Sequence, residues 1–219
     1  PIHTVSAKPE NISKEFAPQE DRGVFIMVME SPEGSTFENT VNQMLKLEEK
    51  LIELNKKFQF IKRNSYLLDL GSCPGSWAQV ASQIIKNGKI MSIDTKTMEP
   101  INNVKFYKGD ILEKNTKAQI RNYFNSFLDV ILSDMAPNTT GNKSLDAIKT
   151  NELCLSILEF SNEMLDKNGV VISKLFMGDD FEEIKVYAKK TFKKIDFFKP
   201  NSSRDNSRET YIHCNRLNT

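Results

Sequence analysis

The run Gly169-Val170-Val171-Ile172-Ser173-Lys174-Leu175-Phe176 sets a single ammonium in a stretch that otherwise reads as a buried strand. Burial penalises the charged form of a lysine, so an amine held there is a candidate proton acceptor near neutral pH. The competing reading is a strand-end lysine whose ammonium reaches water while its stem covers apolar surface. Three acids occupy comparable positions. Asp94 follows Lys89-Ile90-Met91-Ser92-Ile93, Asp110 follows Val104-Lys105-Phe106-Tyr107 by way of Lys108-Gly109, and Asp134 follows Leu128-Asp129-Val130-Ile131-Leu132-Ser133. Acids at strand ends can accept from ribose hydroxyls or from the exocyclic amine of an adenine. For Asp110 a helix cap, and for Asp134 a capping or turn aspartate, is the plainer alternative.

A glycine-marked turn accompanies these acids. In Tyr66-Leu67-Leu68-Asp69-Leu70-Gly71-Ser72-Cys73-Pro74-Gly75-Ser76-Trp77 an apolar strand runs into a turn and then a helix beginning near Ser76. Gly71 and Gly75 permit a tight turn and close approach of a ligand, and free amides at the helix start can meet a carboxylate or phosphate. The spacing Asp-x-Gly-x-x-x-Gly is neither the G-x-G-x-x-G of a dinucleotide site nor the Gly-Lys-Ser/Thr ending of a P-loop. Taken alone it is also compatible with an ordinary strand-to-helix turn. Asp94 lies about 20 residues past the loop, where an acid meets ribose. Loop and acids together describe a pocket for an adenosine-bearing ligand without a phosphate chain.

Positioning such residues requires strands ending on a common edge. Short apolar runs near 66–70, 89–94, 104–108, 128–133, 169–175, 194–198 and 209–214 alternate with helical stretches, the rhythm of an α/β, doubly wound, mostly parallel sheet. Only the loop Lys199 to Arg208 separates the last two runs, which predicts an antiparallel hairpin at one end of the sheet. Ahead of them, Phe37, Val41, Met44, Leu47, Leu51 and Leu54 recur at helical intervals behind a Ser35/Glu38 capping-box spacing. Lys50 falls near that apolar stripe, at the rim of the core. Residues 1–35 read as an arm of unknown role, in which Val24 to Met29 could form a short added strand. Residues 36–219 read as one domain.

Bulk properties exclude little. Thirty basic and 29 acidic residues leave a net charge of +1, so a nucleic-acid partner must be held by a local patch. Lys194, Lys199, Arg204 and Arg208 are the candidate RNA-binding residues, with Lys185, Lys189, Lys190 and Lys193 beside them. For the lysines from 185 to 194, a solvated helix face is an equal alternative. Cys73, Cys154 and Cys214 are far apart and lack CxxC spacing, which points to a reducing compartment, and no His or Cys cluster argues for a metal. Neither a membrane-spanning apolar run nor a signal peptide is visible, so a cytoplasmic location is expected. Nothing demands more than a monomer.

Lys50-Leu51, Leu68-Asp69-Leu70-Gly71 with Pro74-Gly75 and Trp77, Met98-Glu99-Pro100-Ile101, Ser133-Asp134-Met135-Ala136-Pro137-Asn138, Lys174 and Ser207-Arg208-Glu209 occur in this order. In this the chain resembles the FtsJ/RrmJ-type ribosomal RNA large-subunit ribose 2'-O-methyltransferases, over roughly residues 50–216. The resemblance implies a Rossmann-like fold and S-adenosylmethionine as cofactor, bound by Gly71, Gly75, Trp77, Asp94, Asp110 and Asp134. It implies a catalytic tetrad of Lys50, Asp134, Lys174 and Glu209, in which Lys174 takes the proton of a ribose hydroxyl, and needs no metal. Where relatives carry an arginine-rich stretch ending in Tyr-Lys-Leu, this chain has Asn42-Gln43-Met44-Leu45-Lys46-Leu47-Glu48-Glu49-Lys50, and Ser76 replaces the usual glycine. The expected substrate is large-subunit ribosomal RNA. Transfer RNA or an mRNA cap, and a non-catalytic cofactor-bound RNA-binding or assembly protein, are the alternatives.

Overall fold

The computed structural model describes residues 2–7, 25–30, 37–137, 140–178, 181–203 and 208–218. Most of the N-terminal arm, Ser35, Asn138, Arg204 and Ser207 lie outside the described residues. Within the arm, β1 (Ile2–Ala7) and β2 (Phe25–Glu30) pair antiparallel as a separate two-stranded sheet, so the apolar run before Glu30 is a strand.

The principal sheet has seven strands: β3 (Tyr66–Leu70), β4 (Lys89–Asp94), β5 (Val104–Lys108), β6 (Leu128–Ser133), β7 (Leu165–Phe176), β8 (Phe192–Phe198) and β9 (Glu209–Leu217). Their order is β5-β4-β3-β6-β7-β9-β8. The first five in that order run parallel, while β9 is antiparallel to both of its neighbours. The predicted terminal hairpin is therefore present, with β9 inserted between β7 and β8. β7 begins four residues before the apolar run that announces it. Leu128 pairs with Leu165, and a register shift between Leu128 and Val130 absorbs the intervening polar Asp166-Lys167-Asn168.

Helices α1 (Phe37–Phe58) and α2 (Ser76–Ile84) cover one face of this sheet. Helices α3 (Lys114–Phe124), α4 (Lys143–Met164) and α5 (Phe181–Thr191) cover the other. Strands buried on both faces alternate between the two cores. Leu67, Val130, Leu132, Ile172 and Tyr211 join Leu51, Leu54 and Val80 on the α1 side. Leu68, Leu70, Ile131, Val171, Leu175 and Ile212 join Ile120, Leu158 and Ile184 on the other. The apolar stripe read from the sequence of α1 is the stripe that docks, since Met44, Leu51 and Leu54 are all buried.

Candidate active site

Strand register alone assembles the site. Leu70 of β3 stands beside Ile93 of β4 and Ser133 of β6, so the next residues, Asp94, Gly71 and Asp134, come level. Ser133 pairs with Ser173, which brings Asp134 beside Lys174, and Lys174 is paired with Tyr211. One row across the carboxyl edge thus reads Asp94, Gly71, Asp134, Lys174, Tyr211. Parallel α/β sheets bind ligands at this edge.

At the centre of the row Lys174 is tied to Asp134 twice. Its Nζ lies 3.0 Å from the Asp134 Oδ1 and donates to the Asp134 main-chain carbonyl at 2.6 Å. The Tyr211 hydroxyl donates to the same Oδ1 at 2.7 Å. Burial by itself raises the Asp134 carboxyl, but the Lys174 and Lys50 ammoniums and the bonds from Tyr211 and Lys174 outweigh it, leaving its pKa below the ordinary aspartate value. The Tyr211 hydroxyl moves far the other way, because it is buried and faces the charges of Asp134 and Glu209. It is a fixed donor.

A second pair stands beside the first. Lys50, buried on α1, places Nζ 2.6 Å from Glu209 Oε1, and that oxygen also accepts from the Ser203 hydroxyl at 3.1 Å. Lys50 Nζ also lies 5.9 Å from the centroid of the Tyr211 ring, next to which Trp77 packs at 5.7 Å. The Trp77 indole N–H donates to the Leu47 carbonyl at 2.8 Å, one turn before Lys50, and so ties α1 to α2. Lys50, Asp134, Lys174 and Glu209 are thus brought together. The acidic residues before Lys50 do not displace it.

Sequence reasoning misses three residues of this group, Tyr211, Ser203 and Glu53, and the contact that the expected Trp77 makes with α1. The Glu53 carboxylate accepts from the Asn201 and Ser202 amides at 2.7 and 3.0 Å, pinning the β8–β9 connection to α1. No local signal marks it, because at about 100° per residue Glu53 falls opposite Leu51, on the polar face of α1.

On the glycine-loop side, Gly71 has φ +71° and Gly75 φ +114°. A Cβ at Gly71 would collide with Cγ of Met135, so only glycine fits there. Asp94 accepts from the Cys73 amide through Oδ2 and the Lys96 amide through Oδ1, both at 2.8 Å, which joins the loop to the end of β4. Asp110 Oδ1 accepts from the Leu112 amide at 2.9 Å in the turn ahead of α3, whose N-cap is Glu113 rather than Asp110, and the partly exposed carboxylate retains further acceptor capacity. Beneath the loop Asp69 is buried, with Oδ2 unpartnered among the described residues. Burial, then Asp134 and Asp94, push its carboxyl up to about 8. The buried Ser72 hydroxyl likewise lacks a partner among the described residues. A ligand bearing positive charge and donors would complement these groups.

Of the basic residues, Lys194 and Lys199 are exposed on or just after the edge strand β8, and Arg208 is exposed just before Glu209. Lys199 and Arg208 lie at the active edge, whereas Lys194 sits farther down the strand. None of the three cysteines is in a disulfide. Among the described residues no group of three His, Cys, Asp or Glu is placed to hold a metal ion, and no helix is long and apolar enough to cross a membrane. A cavity of about 420 Å³ lined by Lys86, Lys89, Asn103, Lys105 and Tyr123 opens at the amino ends of β4 and β5, away from the row.

A family model described as FtsJ-like methyltransferase matches residues 48–217, which hold Lys50, the glycine loop, Asp94, Asp110, Asp134, Lys174 and Glu209. The chain belongs to that family. Among its relatives this family member is 46% identical over 168 residues to the ribosomal RNA large subunit methyltransferase E of Pelagibacter ubique, covering 77% of this chain and 83% of that protein. It is 41% identical over 169 residues to the protein of the same name from Rickettsia akari, covering 74% of each. A crystal structure of a ribosomal RNA methyltransferase from Plasmodium falciparum superposes with a TM-score of 0.70 at 36% identity, over 78% of this chain and 96% of that one. Human methyltransferase-like protein 13, solved with SAH, shares the fold at a TM-score of 0.55 and 14% identity, over 80% and 82% of the two chains.

Proposed function

We propose that this FtsJ-like methyltransferase transfers a methyl group from S-adenosylmethionine to a ribose 2'-hydroxyl of large-subunit ribosomal RNA. The observation that carries the reading is the pair of lysines, Lys174 on Asp134 in the same row as the glycine loop and Asp94, and Lys50 on Glu209 beside it. A ribose hydroxyl is a poor nucleophile and must lose its proton as it attacks, which calls for a positioned amine beside the methyl source. When bound, the cofactor supplies a methyl already activated on a sulfonium.

Gly71, Gly75, Trp77, Asp94, Asp110 and Asp134 are the residues to hold it, and the acids suit its ribose hydroxyls, adenine amine and positive charges. Once its ammonium has given a proton to solvent, Lys174 Nζ would take the 2'-hydroxyl proton as that oxygen attacks, and the cofactor would supply the methyl and keep the sulfur as leaving group. Asp134, steadied by Tyr211, aims Nζ through its two contacts. Lys50, aimed by Glu209, holds the hydroxyl in line. Positioning of this kind is where such a site gains most of its rate. RNA phosphates are met by Lys199 and Arg208 at the active edge, and Lys194 and Arg204 are the further candidates that the sequence offers.

The test is to incubate the purified protein and labelled cofactor with large ribosomal subunits from cells lacking the enzyme, with free ribosomal RNA and with transfer RNA. Any methyl is then mapped to its nucleotide. A 2'-O-methyl on large-subunit RNA is expected. Label on transfer RNA alone overturns the substrate, and no label on any RNA overturns the activity.

A further inference from the structure

Phe176 closes β7 two residues beyond Lys174 and is paired in register with Glu209. Side chains two apart on a strand share a face, about 7 Å from each other along it. Val171 and Leu175 fill the core under α4 while Ile172 lies on the α1 side, so Lys174 and Phe176 share the α1 face with Tyr211. Phe176 is partly exposed, belongs to neither apolar core, and has no ring partner among the described residues. Aromatic rings usually bury most of their area in a core, so one left at the lip of an active site has a face to offer.

Its backbone is also fixed with unusual care for the last residue of a strand. The buried Asn151 of α4 accepts from the Phe176 amide at 2.9 Å and donates to the Phe176 carbonyl at 3.1 Å. One pair beyond, the Met177 amide donates to the Arg208 carbonyl at 3.2 Å. The ring is therefore presented from a rigid strand end rather than from a loop, as a binding group should be.

We infer that Phe176 is the stacking platform for the base of the nucleotide being methylated. The inference rests on the proposed RNA ribose methylation and extends it to how the target is held. A ribose whose 2'-oxygen lies at Lys174 carries its base outward along the strand direction, over a distance comparable to the spacing of Lys174 and Phe176. Bases splayed out of an RNA are commonly held on aromatic rings, and such stacking tolerates any base because each has a π-face. Phe176 thus contributes grip, and the tetrad contributes chemistry.

The experiment compares wild type with Phe176→Leu, Phe176→Ala and Phe176→Tyr on a large-subunit RNA fragment containing the methylated nucleotide, prepared with its base or abasic at that position. KM for RNA, kcat, cofactor affinity and Tm are read for each. Phe176→Leu and Phe176→Ala are expected to raise KM about ten-fold, with Phe176→Tyr near wild type and with cofactor affinity and Tm unchanged. On the abasic RNA the variants should match wild type. A normal KM for Phe176→Leu, an equal loss on abasic RNA, or a parallel fall in cofactor affinity and Tm overturns the platform. A wild-type protein that methylates no RNA overturns the methyl-transfer reading as well, and so separates the two failures.

Discussion

The two halves of the carboxyl edge hold their charges in different ways. On the β3–β4–β5 side, Asp94 and Asp110 lean on backbone amides alone, from Cys73, Lys96 and Leu112. On the β6–β7–β9 side, Asp134, Lys174, Lys50 and Glu209 lean on one another and on Tyr211. Backbone-held acids keep their place when any other side chain is replaced, which suits a binding pocket. A mutually paired set stands or falls together, because removing one member strands a buried charge. Binding should therefore fail locally, and chemistry collectively.

The largest expected effect is on the paired side. Lys174→Met should lower kcat by about 10²–10⁴-fold, the usual worth of a positioned acid or base, while the dissociation constant for S-adenosylmethionine changes little. Asp134→Asn should act in the same direction, and the double variant should lose far less than the two losses combined, since both act through one contact. Single-turnover rates and cofactor titration measure this. Normal methylation by Lys174→Met would make the ion pair a structural feature.

Asp69 joins the halves from beneath and gives the next effect, on stability. Burial first, then Asp134 and Asp94, raise its carboxyl from 3.8 to about 8 in the fold. A raised folded pKa gives stability that is fully present below the unfolded value and lost as pH climbs through the folded one, here between about 4 and 8. The slope reaches up to about 1.4 kcal/mol per pH unit. Asp69→Asn removes this dependence and still accepts the Ala78 amide. Urea unfolding of the ligand-free protein should show the variant gaining on wild type from pH 5 to 8. A constant gap would mean that Asp69 is charged in the fold.

The sequence displays the edge better than it displays the pairing. Acids after apolar strands and a glycine turn are local patterns, so Asp94, Asp134 and Gly71 are legible in the amino-acid order itself. Lys174 stands out because an ammonium within an apolar run is costly. Lys50 and Glu209 need a family resemblance, since neither local pattern says that α1 crosses the end of β9. Tyr211 escapes altogether. An aromatic in a buried strand reads as core, and only the antiparallel register of β7 and β9 reveals that its hydroxyl reaches Asp134. Contacts far apart in sequence depend on register, and periodicity carries no register.

On the backbone-held side, Asp94→Ala should weaken S-adenosylmethionine binding by about 10–100-fold, the loss of one or two hydrogen bonds to a charged acceptor. The methyl-transfer rate at saturating cofactor should remain close to wild type. A variant that binds normally but turns over slowly would place Asp94 with the chemistry and erase the distinction between the halves.

Tyr211→Phe makes the smallest change and the finest division. It removes one oxygen from a fully buried ring, leaving the packing against Trp77 and the place beneath Lys50 intact. Asp134 Oδ1 then keeps Lys174 and loses its second donor. A hydrogen bond to a charged acceptor is worth about 1.5–3 kcal/mol, so stability to urea should fall by that order. The rate should fall only a few-fold, because Nζ still has the Asp134 carbonyl at 2.6 Å to hold it. If kcat falls as far as in Lys174→Met, the hydroxyl of Tyr211 belongs with the reacting groups, and the paired half has five members rather than four.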